Sequence, residues 1–583
     1  MPNRLGALIH PLVGSMSDVP GAFRKVNTLG TVAVTGAAAG GEKEETMKKL
    51  MNSAVSRRAF LGGTAAASAL ALAACNNSSD TPADSTGDEG GETTSGGGTI
   101  TAGSAYAPSE YNPTKTSSAF CLGSNWHVLE GLYGTDPHDY STFPELATGD
   151  PEQVDETTFT VTIREGAAFS NGNAVTSADV VEAFDRTKAD ATYGAFLAPI
   201  DSLEATDDTT VTVKTAIANF SLLKERLALV RVFPAGTSDD ELSQQPVGSG
   251  PWMYDAITDN TVDLVPNPNY NGSFPAEDAG LHYDILVDAT ARMTAQQQGT
   301  TLVMESVTAD AIELIESAGC KVDQVQGFGT RFIMFNTAKA PWDNVTARQA
   351  VMYAINTDQM IENIFSGLAA TAKSYIPQDF PNYQEAATVY AYDSAKAESM
   401  LSEAGVTPGN LIIRTTDNTQ AEQMGIQAQQ DLEALGFTVE IKTETSQATY
   451  AAIDGGSDDF DILIAPGDPS CWGADPDLLL NWWYGDNVWQ QTRTGWGSSA
   501  EFAQIRELMD AALGQSGDEQ QATWKQVYDI IAENCVLYPL VHVQTVTASW
   551  DDASKSPSGT AIEGFEGIGT TGMSFIDCKT VAA

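Results

Sequence analysis

The sequence predicts an α/β fold, a largely buried sheet with helices on both faces. Three observations predict it. Strand and helix patterns alternate along most of the chain. Hydrophobic residues make up 42% of the 583 positions, the share of an ordinary globular chain. A chain of this length supports roughly three or four units of about 150 residues, enough to bury large cores.

The elements follow in order. Thr99-Ile100-Thr101 opens a short strand, and Phe159–Ile163 alternates apolar and polar residues as a half-buried strand does. Thr176 and Asp179 have capping-box spacing ahead of Val180, Val181 and Phe184, which repeat at helical period. Arg331–Phe335 is strand, and a helical pattern runs from about Thr346 to Ser366 with its stop at Gly367. Asp393 caps a helix that ends at Gly405. Leu411–Arg414 is strand, 419–435 helix, and Phe437–Ile441 strand again after the break at Gly436. Phe460–Ala465 is a continuous apolar strand of the buried type. Helices at about 499–513 and 517–534 lead into a last strand, Val536–Val543. There is no internal repeat.

Charge and composition exclude several functions. The chain has 30 Lys+Arg against 77 Asp+Glu, a net −47. Phosphate backbones need clustered cations, so nucleic acid is not the main partner, and a direct grip on anionic lipid is excluded likewise. Six cysteines are too few for a disulfide-built miniprotein, and their scattered positions show no metal-ligand spacing. With histidines only at 10, 127, 138, 282 and 542, neither a metal site nor a cofactor is expected.

The N-terminal segment reads as an address. Ser56-Arg57-Arg58-Ala59-Phe60-Leu61, after Lys48 and Lys49, resembles a twin-arginine export signal. The apolar stretch Leu61–Ala74 falls short of the ~20 residues needed to span a bilayer and has the length of a signal-peptide core. Leu72-Ala73-Ala74-Cys75 resembles a lipobox, which makes Cys75 the lipidated first residue of a mature protein. We therefore read 47–75 as a lipoprotein signal peptide and 1–46 as an unassigned extension, Met47 or Met51 being the more natural start. Residues 76–98, rich in Ser, Thr, Asp, Glu and Gly, form a flexible tether.

Catalytic motifs are missing: no Gly-rich phosphate loop after a strand, no nucleophile elbow, no zinc-protease helix. Asp475-Pro476-Asp477 sets two carboxylates close together. They fit a glycosidase-like pair, and with it a surface-anchored hydrolase of peptide or glycan, or a Pro-bounded turn with a helix-capping aspartate. Trp472, Trp482, Trp483, Trp489 and Trp496 crowd into one stretch, as core or interlobe packing with one or two facing a cleft.

Several segments, in order, carry a resemblance. His127–Leu132 contains an EGL segment; Phe159–Ile163, Arg164–Gly172 and Thr176–Val181 follow as strand, RxGxxFxxG and TAEDV-like runs. Val247–Trp252 resembles GTGPY, and Asn267-Pro268-Asn269-Tyr270 resembles NPDYW. Arg331–Thr337, Pro341–Asn344 and Arg348-Gln349-Ala350 follow FNxxxPPFxDxxVRQA; Tyr392–Gly405 follows YDPxKAxxLLxEAG; Pro539–His542 matches a late IPLY strand. From residue 99 almost to the end, the chain is similar to the extracellular solute-binding proteins of the peptide/nickel class (family 5), receptors of oligopeptide and dipeptide ABC importers.

The resemblance implies a two-lobed periplasmic-binding-protein-like fold of class II type, with an extra α/β domain in the first lobe and a hinge between lobes. Carried over, lobe I combines 99–135, 240–330 and 540–583, its extra domain is 136–239, and lobe II is 331–539. It implies a monomeric, lipid-anchored receptor outside the cell membrane. Its partners would be a short peptide or other small solute and the permease and ATPase of an importer, and it would perform no catalysis. Asp468, after the buried strand, is placed to pair with a ligand ammonium group, with Asp475 as second choice or Asp468 as an exposed loop residue. Tyr106 and Tyr111 fall where ligand backbone runs along the cleft, and Phe328, Thr330 and Arg331 stand at the second lobe's first strand. Arg331 is available to a ligand carboxylate or to an interlobe ion pair, and Trp472 is the tryptophan nearest Asp468. Gly329 replaces the cysteine of the oligopeptide receptors, so their cross-link is not expected; nickel chelates and heme remain open as cargo.

Overall fold

The computed structural model describes residues 97–457 and 459–583; the export signal, Cys75 and nearly all of the tether lie outside the described residues. An eleven-stranded mixed sheet runs through the molecule. Its order is Thr438–Glu444, Asn410–Thr416, Ile462–Gly467, Lys321–Phe335, Leu537–Ser549, Val303–Met304, Thr99–Ser104, Gly280–Ile285, Thr261–Pro266 and Trp252–Ile257, with Ala369–Thr371 alongside Leu537–Ser549. Each half holds a parallel set: Thr99–Ser104 between Gly280–Ile285 and Val303–Met304, and Asn410–Thr416 between Thr438–Glu444 and Ile462–Gly467. Helices such as Thr419–Ala434 supply the connections that parallel strands require.

Two hydrophobic cores divide this sheet, so the molecule is two-lobed. The first gathers Ile100, Leu264, Tyr283 and Val303; the second gathers Phe332–Phe335, Ile413, Ile462–Ala465 and Trp483. The two longest strands pass through both. Lys321–Gln326 pairs with Gln544–Ser549 in the first lobe, the register then shifts, and pairing resumes at Thr330 opposite His542 in the second. Residues 327–329 therefore interrupt the ladder between the cores, and Leu540, Val541 and Val543 belong to the second core while Val546 and Ala548 belong to the first. A separate four-stranded antiparallel sheet, Glu152–Gln153, Thr158–Thr162, Thr210–Thr215 and Ile200–Asp207, forms the extra domain. The helix Ser177–Lys188 packs on it, started by the expected box: Thr176 N donates to Asp179 at 2.7 Å.

Three expectations change in the structure. The helical pattern at 346–366 is two helices, Val345–Ala354 and Thr357–Asn363, because Asn356 caps the second by accepting from Gln359 N at 3.1 Å. The strands read as Arg331–Phe335 and Val536–Val543 are the ends of much longer ones. Their other halves, KVDQVQ and QTVTAS, mix polar with apolar residues and lack the run that marks a buried strand. The last tether residues already dock: Gly98 N donates to Thr580 Oγ1 at 3.0 Å. Cys121, Cys320, Cys471, Cys535 and Cys578 are all free thiols.

A buried ion pair joins the extra domain to the second lobe. Arg226, on the helix Leu223–Leu227, is fully buried and donates to both Asp475 oxygens at 2.8 and 3.1 Å and to Asp477 Oδ2 at 2.8 Å. Burial alone would lower the guanidinium's pKa, but the two carboxylates outweigh it and hold the value raised. Breaking a buried pair by removing one partner strands the other charge. Replacing Arg226 by Met should destabilise the protein by about 3–5 kcal/mol. The triple variant Arg226→Met/Asp475→Asn/Asp477→Asn should recover most of that loss, with chemical denaturation as the measurement.

Candidate functional site

The site is built where the two lobes face each other across the interrupted strands. Asp468 follows the buried strand Ile462–Gly467 and caps the short 3-10 turn Pro469–Trp472. Its Oδ1 accepts from Ser470 N at 3.0 Å and Ser470 Oγ at 2.6 Å. Its Oδ2 accepts from Thr571 N at 2.8 Å, Thr571 Oγ1 at 3.1 Å and Thr570 Oγ1 at 3.4 Å. The second set comes from the C-terminal tail, so one carboxylate is held by both sides of the cleft. The tail reaches it by crossing the break in the strands, where a Cβ on Gly327 would lie 1.7 Å from Gly569 O. Only glycine lets the two backbones approach so closely.

Arg331 lies on the other long strand of the site. Its Nη1 donates to Thr330 O at 3.1 Å, its Nη2 donates to Gln420 Oε1, and its Nε has no partner. Burial lowers its pKa, with Tyr106 and Asp468 pulling the opposite way. Among the described residues, neither Asp468 nor Arg331 forms an ion pair, though each lies within the other's field. Tyr106 stands between the charges. Burial and the Glu305 carboxylate raise its phenol, while Arg331 opposes them. Crowded by both lobes, Tyr106 is still 37% exposed, as a residue in a cleft wall is. Glu305 is held at the base by Ser104 Oγ at 2.6 Å and Ala105 N at 2.8 Å, with its own pKa raised by burial.

The structure thus brings Tyr106, Arg331 and Asp468 together, leaves Trp472 in the wall of the space beside Asp468, and gives the other candidates packing or ion-pair roles. Phe328 is buried in an aromatic contact with Phe380 (4.1 Å between centroids) and Tyr140 (5.6 Å) at the lobe boundary. Tyr111 lies in the first core, edge-on to Tyr254 at 5.4 Å. Thr330 is buried, with its hydroxyl donated to Val541 O at 2.9 Å. Trp472 is packing between lobe and extra domain, against Phe196 at 5.5 Å and Trp482 at 4.4 Å. Asp475 is not a free ligand group, because Arg226 holds both of its oxygens. The same guanidinium binds Asp477, which is buried, so neither carboxylate is free to meet a substrate, and the hydrolase reading is not supported.

Sequence reasoning missed Tyr140, Gln420, Glu305 and the Thr570–Thr571 pair. Tyr140 Oη donates to Ser470 Oγ at 3.2 Å and so reaches the Asp468 network from the extra domain. Its one signal was a lone aromatic in a polar loop, His138-Asp139-Tyr140-Ser141, where its φ of 62° is unusual for a tyrosine.

Known proteins share this architecture. Residues 142–491 match the bacterial extracellular solute-binding proteins, family 5 middle. Heme-binding protein A of Haemophilus influenzae is 27% identical over 446 residues, covering 68% of this chain and 78% of its own. The probable D,D-dipeptide-binding periplasmic protein DdpA of Escherichia coli is 24% identical over 69% of this chain and 80% of its own. The ABC transporter-associated periplasmic binding protein DppA from Helicobacter pylori, in complex with peptide STSA, superposes with a TM-score of 0.72 at 21% identity. It covers 83% of this chain and 98% of that one. With a match spanning most of its length, an α/β body in two lobes and no catalytic pair, the chain belongs to family 5 of the bacterial extracellular solute-binding proteins, which bind solutes and are not enzymes.

Proposed function

We propose that this protein is the lipid-anchored receptor of an ABC importer that captures short peptides by closing its lobes around them. One observation carries the reading: Asp468 and Arg331 lie in each other's field, yet among the described residues neither has an ion-pair partner within contact distance. A zwitterion supplies both missing partners. Its ammonium meets Asp468, a charge-assisted bond that selects free amino termini, and its carboxylate meets Arg331. Ser470 on one side and Thr570–Thr571 on the other pre-orient the carboxylate, so little ordering remains when ligand arrives.

Closure follows from the same contacts. The break at residues 327–329 lets the lobes turn, and a ligand touching both lobes shifts the population toward the closed form. Relatives support the cargo class: the Escherichia coli protein is described as D,D-dipeptide-binding, and the Helicobacter pylori structure holds a peptide. The sequence supports the anchor through Arg57-Arg58 and Leu72–Cys75. Membrane tethering by one lipidated cysteine keeps the receptor near its permease without a spanning helix.

Two outcomes test this. Asp468→Asn keeps the shape but loses the charge, so affinity for peptides with a free amino terminus should fall at least ~10-fold, the scale of a charged hydrogen bond. N-acetylated peptides should bind the parent and variant alike. In cells, Cys75→Ser should abolish incorporation of labelled fatty acid and release the protein from the membrane fraction; retained label would remove the anchor from the account.

A further inference from the structure

Beside Asp468, the boundary between first lobe, extra domain and second lobe opens into a narrow crevice. Its walls are carbon-rich: Leu122, Trp126, Tyr140, Tyr193, Leu229 and Trp472. Tyr193 and Trp472 are 2% and 4% exposed and meet edge to face at 6.3 Å, which fixes that wall. Arg231 is the one charged wall residue, and Glu145 at 2.9 Å and Leu129 O at 3.3 Å occupy its guanidinium. No uncompensated charge therefore faces the space. Two further wall residues, Ser470 and Thr570, donate to Asp468 at 2.6 and 3.4 Å, so the crevice begins beside that carboxylate.

We propose that this crevice takes a large, uncharged apolar or aromatic side chain on the amino-terminal residue of a bound peptide, an inference that rests on the peptide-receptor reading above. The α-ammonium and the side chain of that residue share one carbon. With the first at Asp468, the second can enter this crevice, whose wall residues Ser470 and Thr570 already touch that carboxylate. An acidic side chain there would face Asp468 without a cation. A basic one would lose its hydration against carbon with no acceptor. An aromatic ring buries about 150–250 Å² and meets rings already set edge-on, whereas glycine leaves the walls wet. Tyr140, Tyr193 and Leu229 come from the extra domain, which makes that domain the source of side-chain selectivity.

Calorimetric titration of the full-length protein with the tripeptides Phe-Ala-Ala, Leu-Ala-Ala, Gly-Ala-Ala and Asp-Ala-Ala tests this, with N-acetyl-Phe-Ala-Ala as control. The expected result is an affinity for the Phe and Leu peptides at least ~10-fold above the Gly peptide, with the Asp peptide weakest. Thr135 and Leu122 also line the space. Filling it through Thr135→Trp, or through Leu122→Trp if the first variant melts early, should erase the Phe preference and leave Gly-Ala-Ala within about twofold. Equal affinity for Phe- and Gly-first peptides, with acetylation still abolishing binding, would overturn the crevice assignment and leave the receptor reading standing. Failure of every free-amine tripeptide to bind would overturn both.

Discussion

The two long strands, Lys321–Phe335 and Leu537–Ser549, run through two separately packed cores, and the pairing between them is broken at residues 327–329. A continuous ladder would make one stiff sheet. The break falls between the two cores, which meet only where residues such as Trp472 and Trp482 reach across, and a cleft forms where their packing stops. The C-terminal tail closes over this point because Gly327 and Gly569 present no side chains to each other, which brings Thr570 and Thr571 within reach of Asp468.

Charges in the cleft and charges at its margin are treated differently. At the margin, Arg226 is fully buried and matched by Asp475 and Asp477, and Arg231 is matched by Glu145. The first set joins the extra domain to the second lobe, and the second lies within the extra domain. In the cleft, Asp468 is oriented by hydroxyls and amides, and Arg331 by a carbonyl and an amide side chain. Hydrogen bonds position both groups without cancelling their charge, which remains for something that enters. The chain is strongly acidic, so the oriented Asp468 carboxylate derives its selectivity from geometry and not from net charge.

Much of this was legible in the sequence. The buried run Phe460–Ala465, the Thr176–Asp179 box and the cap at Asp393 are local signals, and each produces the element expected. The family resemblance, read onto the strands at 331–335 and 460–465, is what singled out Asp468 and Arg331. What local patterns could not show were long-range pairings. Nothing near Asp475 announces Arg226, about 250 residues away, so its carboxylate stood as the second choice after Asp468. Thr570 and Thr571 sit in a Gly-rich tail whose role is set only by crossing the strand break. The tryptophan cluster is mainly packing, as its composition suggested: Trp472, Trp483, Trp489 and Trp496 are all buried against aromatic neighbours.

A receptor of this kind changes shape and leaves its cargo unchanged, and small-angle scattering joined to mass spectrometry reads both on one sample. On adding a free-amine tripeptide, the radius of gyration should fall as the lobes close, and denaturation should then release the peptide at its original mass. A particle whose dimensions do not respond to bound peptide, or a peptide recovered as fragments, would contradict the account.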